Sequence, residues 1–130
     1  MSGGVIFLSI EHILAVHDRM IMEFGGDSGV RDRALLESAA AMPMAQYDGK
    51  YLHRNLAEMA AAYLFHLCRN HPFVDGNKRT ALASAEVFLL LNEFKFAATN
   101  PQLERLTMQV AEGKIDKEQV IKFFLEHVKI

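Results

Sequence analysis

The chain has 130 residues, 51% hydrophobic and 23% charged, a balance that suits one globular domain over 1–130 and excludes a disordered chain. Fourteen Lys and Arg against 16 Asp and Glu leave a net charge of −2, which excludes a general nucleic-acid or membrane-surface role and confines any basic site to a local patch. The lone cysteine, Cys68, cannot close an internal disulfide, and no run reaches the roughly 18–20 uncharged apolar residues of a membrane span. The start, MSGGVIFLSIEH, has no basic segment before its short apolar run, so no signal peptide is read and the cytoplasm is the expected location.

In chain order, Ser9 predicts the N-cap of a first helix whose apolar positions Ile10, Ile13, Leu14, Met20, Ile21 and Phe24 recur at three- and four-residue spacing. GGDSG (25–29) ends it, Gly25 or Gly26 suiting a left-handed C-terminal position. Asp32 opens a second helix, RALLESAAA, which stops before Pro43. After the loop MAQYDGKYLHR (44–54), Asn55 and Glu58 form a capping-box-like start to a helix from Leu56 to about Arg69 that is apolar nearly all round. A similar helix runs from about Asn77 to Leu91.

Further on, EFKFAA (93–98) reads as a short extended link. Asn100 and Pro101 suit the N-cap and first position of a fifth helix ending near Gly113. Asp116 with Gln119 makes another capping box, with Ile115 and Val120 placed for a hydrophobic staple. The last helix carries the stripe Val120, Ile121, Phe124, Leu125 and Val128. The expected fold is all-α, a compact bundle of about six helices around a central helix-turn-helix.

The turn of that central pair, NHPFVDGNKRT (70–80), places a histidine, an aspartate, an asparagine, a lysine and an arginine between two apolar helices. Pro72 and Gly76 force a loop, and Asn77 begins the next helix. That helix end carries unpaired N–H groups and partial positive charge, yet Lys78 and Arg79 add two cations where they are disfavoured by about 0.3–1 kcal/mol each. The arrangement makes sense if an anion sits there, held by backbone N–H groups, Lys78 and Arg79. Asp75 beside it is a candidate Mg²⁺ ligand, and His71 is the cluster's only histidine, the residue type suited to act as a base at neutral pH. Base, metal ligand and phosphate clamp are the parts that phosphoryl or nucleotidyl transfer to a hydroxyl requires.

HPFVDGNKR (71–79) closely resembles the motif of the Fic/Doc family, with His71, Phe73, Asp75, Gly76, Asn77, Lys78 and Arg79 matching in order. FGGDSGVRDRALLESA (24–39) is similar to the N-terminal part of the Doc, or death-on-curing, branch. The resemblance implies an all-α domain with this turn at its centre, and ATP and Mg²⁺ as cofactors. It implies His71 as the catalytic base, Asp75 as the metal ligand, Gly76 as the point where backbone approaches phosphate, and Asn77, Lys78 and Arg79 as clamps on phosphate oxygens. Phe73 anchors the loop in the core. The AMP-transferring branch usually carries Gly at the position of Lys78 and a second arginine where Leu82 stands.

The resemblance therefore leans toward a Doc-type toxin of a type II toxin–antitoxin system. Such a toxin transfers a phosphoryl group from ATP to a protein hydroxyl, elongation factor Tu being the family's target, and is neutralised by a Phd-type antitoxin. AMP or other NMP transfer to a protein hydroxyl is the alternative within enzymes, and a catalytically idle nucleotide- or protein-binding module the alternative outside them.

Other residues carry weaker signals. His66, Cys68 and His71 lack a second ligand pair, so helix packing is expected of His66 and Cys68 in preference to zinc. Arg69 could meet a phosphate or a carboxylate. His17 lies near the first helix's apolar stripe, where a core role outweighs a catalytic one. The loop at 42–52 corresponds to the family's target-binding flap, with a plain surface loop as the alternative. Thr107 with Glu112 and Gly113 approaches the family's self-inhibitory pattern but misses its spacing by one residue.

Overall fold

The computed structural model describes residues 4–130, so the first three residues of the MSGG start lie outside the described residues. Six α-helices form among the described residues: α1 Ile10–Phe24, α2 Arg33–Ala41, α3 Leu56–Asn70, α4 Asn77–Leu91, α5 Asn100–Ala111 and α6 Lys117–His127. The all-α expectation holds. Two antiparallel two-residue pairs join them, β1 Gln46–Tyr47 with β2 Lys50–Tyr51, and β3 Lys95–Phe96 with β4 Val128–Lys129. None of the helices in the described residues is long and apolar enough to cross a membrane.

Helix α3 is the axis, packed against α2, α4, α5 and α6, while α1 lies across α4 and α2. Its alanines explain the position. Ala57, Ala60, Ala61 and Ala62 are all buried, as are Ala81 and Ala85 on α4, and small side chains let helix backbones approach closely. Larger residues close the core around them, including Tyr63, Leu64, Leu67, Phe88, Val110 and Phe124. Each of these contributes about 1.5–3 kcal/mol by leaving water. The Tyr63 hydroxyl accepts from the Leu8 N–H at 2.8 Å, tying the N-terminal segment to the axis.

Most caps fall where the sequence places them. Ser9, Asp32, Asn55 and Asp116 each accept a hydrogen bond from the N–H three residues on. Two readings are corrected. The cap of α5 is Thr99, not Asn100, because the Thr99 hydroxyl and Gln102 make the reciprocal box and leave Asn100 and Pro101 inside the first turn. The Glu58 carboxylate accepts from the N–H of Arg54, one residue before the cap, so the α3 box is displaced rather than closed. Leu125, expected in the α6 stripe, is 52% exposed, because the stripe continues through Ile121 and Phe124 into β4 instead.

The 42–52 loop holds a 3₁₀ turn, Met42–Met44, and then the β1–β2 hairpin. Asp48 and Gly49 at its tip have φ of 54° and 77°, the positive values that a two-residue hairpin turn requires.

Candidate active site

The loop between α3 and α4 is built from backbone outward. His71 ends α3 in the left-handed region, at φ 50° and ψ 54°. That conformation costs a non-glycine residue roughly 1–2 kcal/mol and persists only where neighbours hold it. Gly76 starts α4 with φ 77°, and a side chain there would meet Ile21 of α1 at 3.2 Å. The interior of the loop is held by Phe73, which is 1% exposed and stacks on His17 of α1 with ring centroids 3.8 Å apart and planes 7° from parallel.

Asn77 departs from the expected role. Its side chain is buried, accepts from the Phe73 N–H at 2.9 Å and donates to the Phe73 carbonyl at 2.9 Å. The amide is thus spent on closing the loop, and what Asn77 offers an anion is its backbone N–H, at the start of the helix. The reason is chemical: a carboxamide carries an acceptor oxygen and a donor nitrogen side by side, so it meets the Phe73 N–H and carbonyl together.

The chemistry-bearing groups lie along this loop and the first turn of α4. His71, Asp75, Lys78 and Arg79 are all exposed at the loop's outer side. Helix α4 has no side-chain cap, unlike the other five α-helices of the described residues, so its first N–H groups are left for a ligand or water. A cleft of about 730 Å³ opens from that helix end, lined by Gly76, Asn77, Lys78 and Arg79 and running past Leu82 toward Met108 of α5. Such a volume lies within the roughly 300–1,000 Å³ of small-molecule sites. The Arg79 guanidinium rests over the Phe24 ring, 4.3 Å from its centroid, which holds it at the cleft's edge.

Asp75 is partly engaged. One carboxylate oxygen accepts from the Asp27 N–H at 2.8 Å, and the other is left for a further partner. No group of three or more His, Cys, Asp or Glu among the described residues could hold a metal. With one oxygen engaged and the other free, the Asp75 carboxylate offers a single ligand atom to a cation.

Several residues that hold the loop carried no such signal in the sequence. Arg31 donates from Nε to the His71 carbonyl at 2.7 Å and from Nη2 to the Asn70 carbonyl at 3.0 Å. The backbone N–H groups of Arg31 and Asp32 both donate to the Pro72 carbonyl, and the Val74 N–H donates to the Gly29 carbonyl. His17, expected in the core, is 1% exposed, and its Nε2 meets the Asp75 carbonyl at 2.8 Å. The glycines of GGDSG do more than end α1: a side chain at Gly26 would lie 3.1 Å from the Asp75 Cβ, and one at Gly29 3.2 Å from Val74. The resemblance of residues 24–39 marked that segment but not its contacts with the loop, which join positions more than 35 residues apart.

The weaker candidates lie elsewhere. Arg69 pairs with no carboxylate among the described residues and donates to the Val110 carbonyl at 3.5 Å, near the end of α5. Cys68 is buried against the Thr107 carbonyl, and burial pushes its thiol up to about 11. Thr107 is itself buried and donates to the Leu103 carbonyl.

A helical domain whose central pair of helices presents HPFVDGNKR over an uncapped helix end has the architecture of one family. The Fic/DOC family model matches residues 7–89, and the chain belongs to that family. Among its relatives, Toxin Doc of Mycolicibacterium smegmatis is 49% identical over 75 residues, a match covering 58% of this chain and 58% of the relative. Protein kinase doc of Escherichia phage P1 is 35% identical over 113 residues, covering 87% of this chain and 88% of the relative. The chain thus spans just over half of the first relative and most of the second.

Proposed function

We infer that the chain is a Doc-type toxin that transfers the γ-phosphoryl group of ATP to a hydroxyl of a protein. The observation that carries this reading is the uncapped N-terminus of α4, which opens with Lys78 and Arg79 onto a cleft and is reached through a loop that carries His71 and the half-free carboxylate of Asp75. The names of the two relatives, a toxin and a protein kinase, support the choice of reaction. So does Leu82, which lines the cleft with an apolar side chain where a nucleotidyl-transferring site would use an arginine.

In this reading His71 takes the proton of the incoming hydroxyl as the new oxygen–phosphorus bond forms, and the bond to the β-phosphate oxygen breaks to release ADP. The α4 N–H groups, Lys78 and Arg79 hold phosphate oxygens and face the charge that develops on them. Gly76 lets the backbone approach without a side chain between. Asp75 would hold Mg²⁺, which when bound neutralises phosphate charge and orients the transferring group. The acceptor in this reading is a translation factor, with elongation factor Tu as the family's precedent, and the β1–β2 hairpin is the candidate segment to present it. A Phd-like antitoxin would neutralise the toxin in the cytoplasm, a reducing compartment in which the single Cys68 remains a thiol.

The decisive experiment incubates the purified chain with elongation factor Tu and ATP labelled at either the α or the γ position. Transfer of γ-label alone is expected, with a loss of at least about 100-fold in His71→Ala. Transfer of α-label would establish nucleotidyl transfer instead. Absence of both labels, with growth arrest unchanged in His71→Ala, would mark an idle binding module.

A further inference from the structure

Among the bonds that fasten the loop, two side chains reach the carbonyls of its chemical residues: Arg31 that of His71 and His17 that of Asp75. We propose that Arg31 and His17 are separate positioning residues for the reaction, Arg31 for the base His71 and His17 for the carboxylate of Asp75. The proposal rests on the roles assigned above to His71 and Asp75.

The Arg31 contact is directed at a strained point. His71 is left-handed at φ 50°, and helix ends normally use glycine or asparagine there. The Arg31 guanidinium reaches across to the carbonyls of Asn70 and His71 together, at 3.0 and 2.7 Å. A planar fork bonded to two successive carbonyls fixes the peptide plane on which the His71 side chain is mounted. A charged donor also suits the negative end of α3. Nothing in the core needs this residue: Arg31 is exposed, and its guanidinium meets only the ends of the α3–loop junction.

The His17 contact is directed from below. Its ring is sandwiched flat on Phe73 and its Nε2–H donates to the Asp75 carbonyl, so the imidazole is in the tautomer that carries hydrogen on Nε2. A phenylalanine would fill the same space and keep the stack, but would leave the Asp75 carbonyl without its donor. The Asp75 carboxylate is then held only from the far side, by the Asp27 N–H. One clamp therefore governs proton removal and the other the metal site, although both act on the same six-residue turn.

Separable defects follow. Arg31→Ala is expected to lower kcat about 10- to 100-fold, with the Mg²⁺ concentration for half-maximal rate and the KM for ATP unchanged. Added guanidinium ion should restore part of that rate. His17→Phe is expected to raise the Mg²⁺ requirement about 10-fold, and His17→Gln, which keeps an N–H donor, should recover part of it. The assay uses the full chain, γ-labelled ATP and elongation factor Tu, with melting temperature measured alongside. Growth arrest on expression is the second readout and decides if the acceptor is a different protein.

Parental kcat in Arg31→Ala together with a parental Mg²⁺ requirement in His17→Phe would overturn the proposal. So would losses in both variants that scale only with the folded fraction, because a purely structural role predicts them. If His17→Phe does not fold, His17→Gln and the exposed Arg31 decide the matter. Inactive His71→Ala and Asp75→Ala beside fully active Arg31 and His17 variants would sink this inference alone. Active His71→Ala would remove the reading of the site and this inference with it.

Discussion

The Asn77 amide meets the N–H and the carbonyl of Phe73 at 2.9 Å each, inside a loop where water does not replace it. Removing it strands one buried donor and one buried acceptor, each costing roughly 1–3 kcal/mol. Asn77→Ala is therefore expected to lower stability by about 3 kcal/mol and the melting temperature by about 10 °C, measured by calorimetry or circular dichroism. A Lys78→Ala change, at an exposed side chain, should leave the melting temperature within about 2 °C while weakening activity. At this scale the residue types of the loop were legible from the sequence, which already shows a histidine, an aspartate and two cations in one run. Side-chain direction was not. Asn77 sits in the same run as Lys78 and Arg79, and only the bend of the backbone turns its amide inward.

Between elements, the active loop and the GGDSG segment form one unit. The segment from Gly25 to Asp32 lies along residues 71–75 through a Val30–Phe73 bridge and backbone hydrogen bonds to Pro72 and Val74. Gly26, at φ 116°, has no room for a side chain beside Asp75, with a Cβ approaching the Asp75 Cβ at 3.1 Å. Gly49, at φ 77° on the hairpin tip, faces open space. Gly26→Ala should therefore both destabilise the fold by about 1–3 kcal/mol and raise the Mg²⁺ requirement, whereas Gly49→Ala should show the backbone strain alone. Urea titration and an Mg²⁺ titration of the rate on both variants check this. In the sequence these glycines read as punctuation at the end of α1, because helix capping is local and the approach to Asp75 is not. Helix positions and most caps, by contrast, were correctly placed, since each depends on residues within one turn.

At the scale of the whole molecule, the fold buries imidazole nitrogens outside the residues assigned to the site. Burial, and then the positive charge of Lys117, hold His66 down to about 4 and lower His53 from its ordinary value. His66 Nε2 and His53 Nδ1 are also buried without hydrogen-bond partners in the structure. The folded state favours the neutral rings, so between about pH 4 and 6.5 the unfolded chain binds more protons. Stability from His66 is thus complete above its ordinary value and lost as pH falls toward about 4. The loss is expected to be roughly 2–3 kcal/mol. Urea unfolding from pH 7 down to 4 should show it, and His66→Leu should flatten that limb of the curve.

By itself the sequence determined the helices, most of their caps and the chemical membership of the loop, because these follow from neighbours along the chain. The tertiary structure alone decided how that loop is aimed. His17, Asp27 and Arg31 reach it across 58, 48 and 40 positions, and the same packing spends Asn77 on the frame. Spacing along a chain records which groups are available; their direction comes from bonds between segments that meet only when the alanine faces of α3 and α4 close.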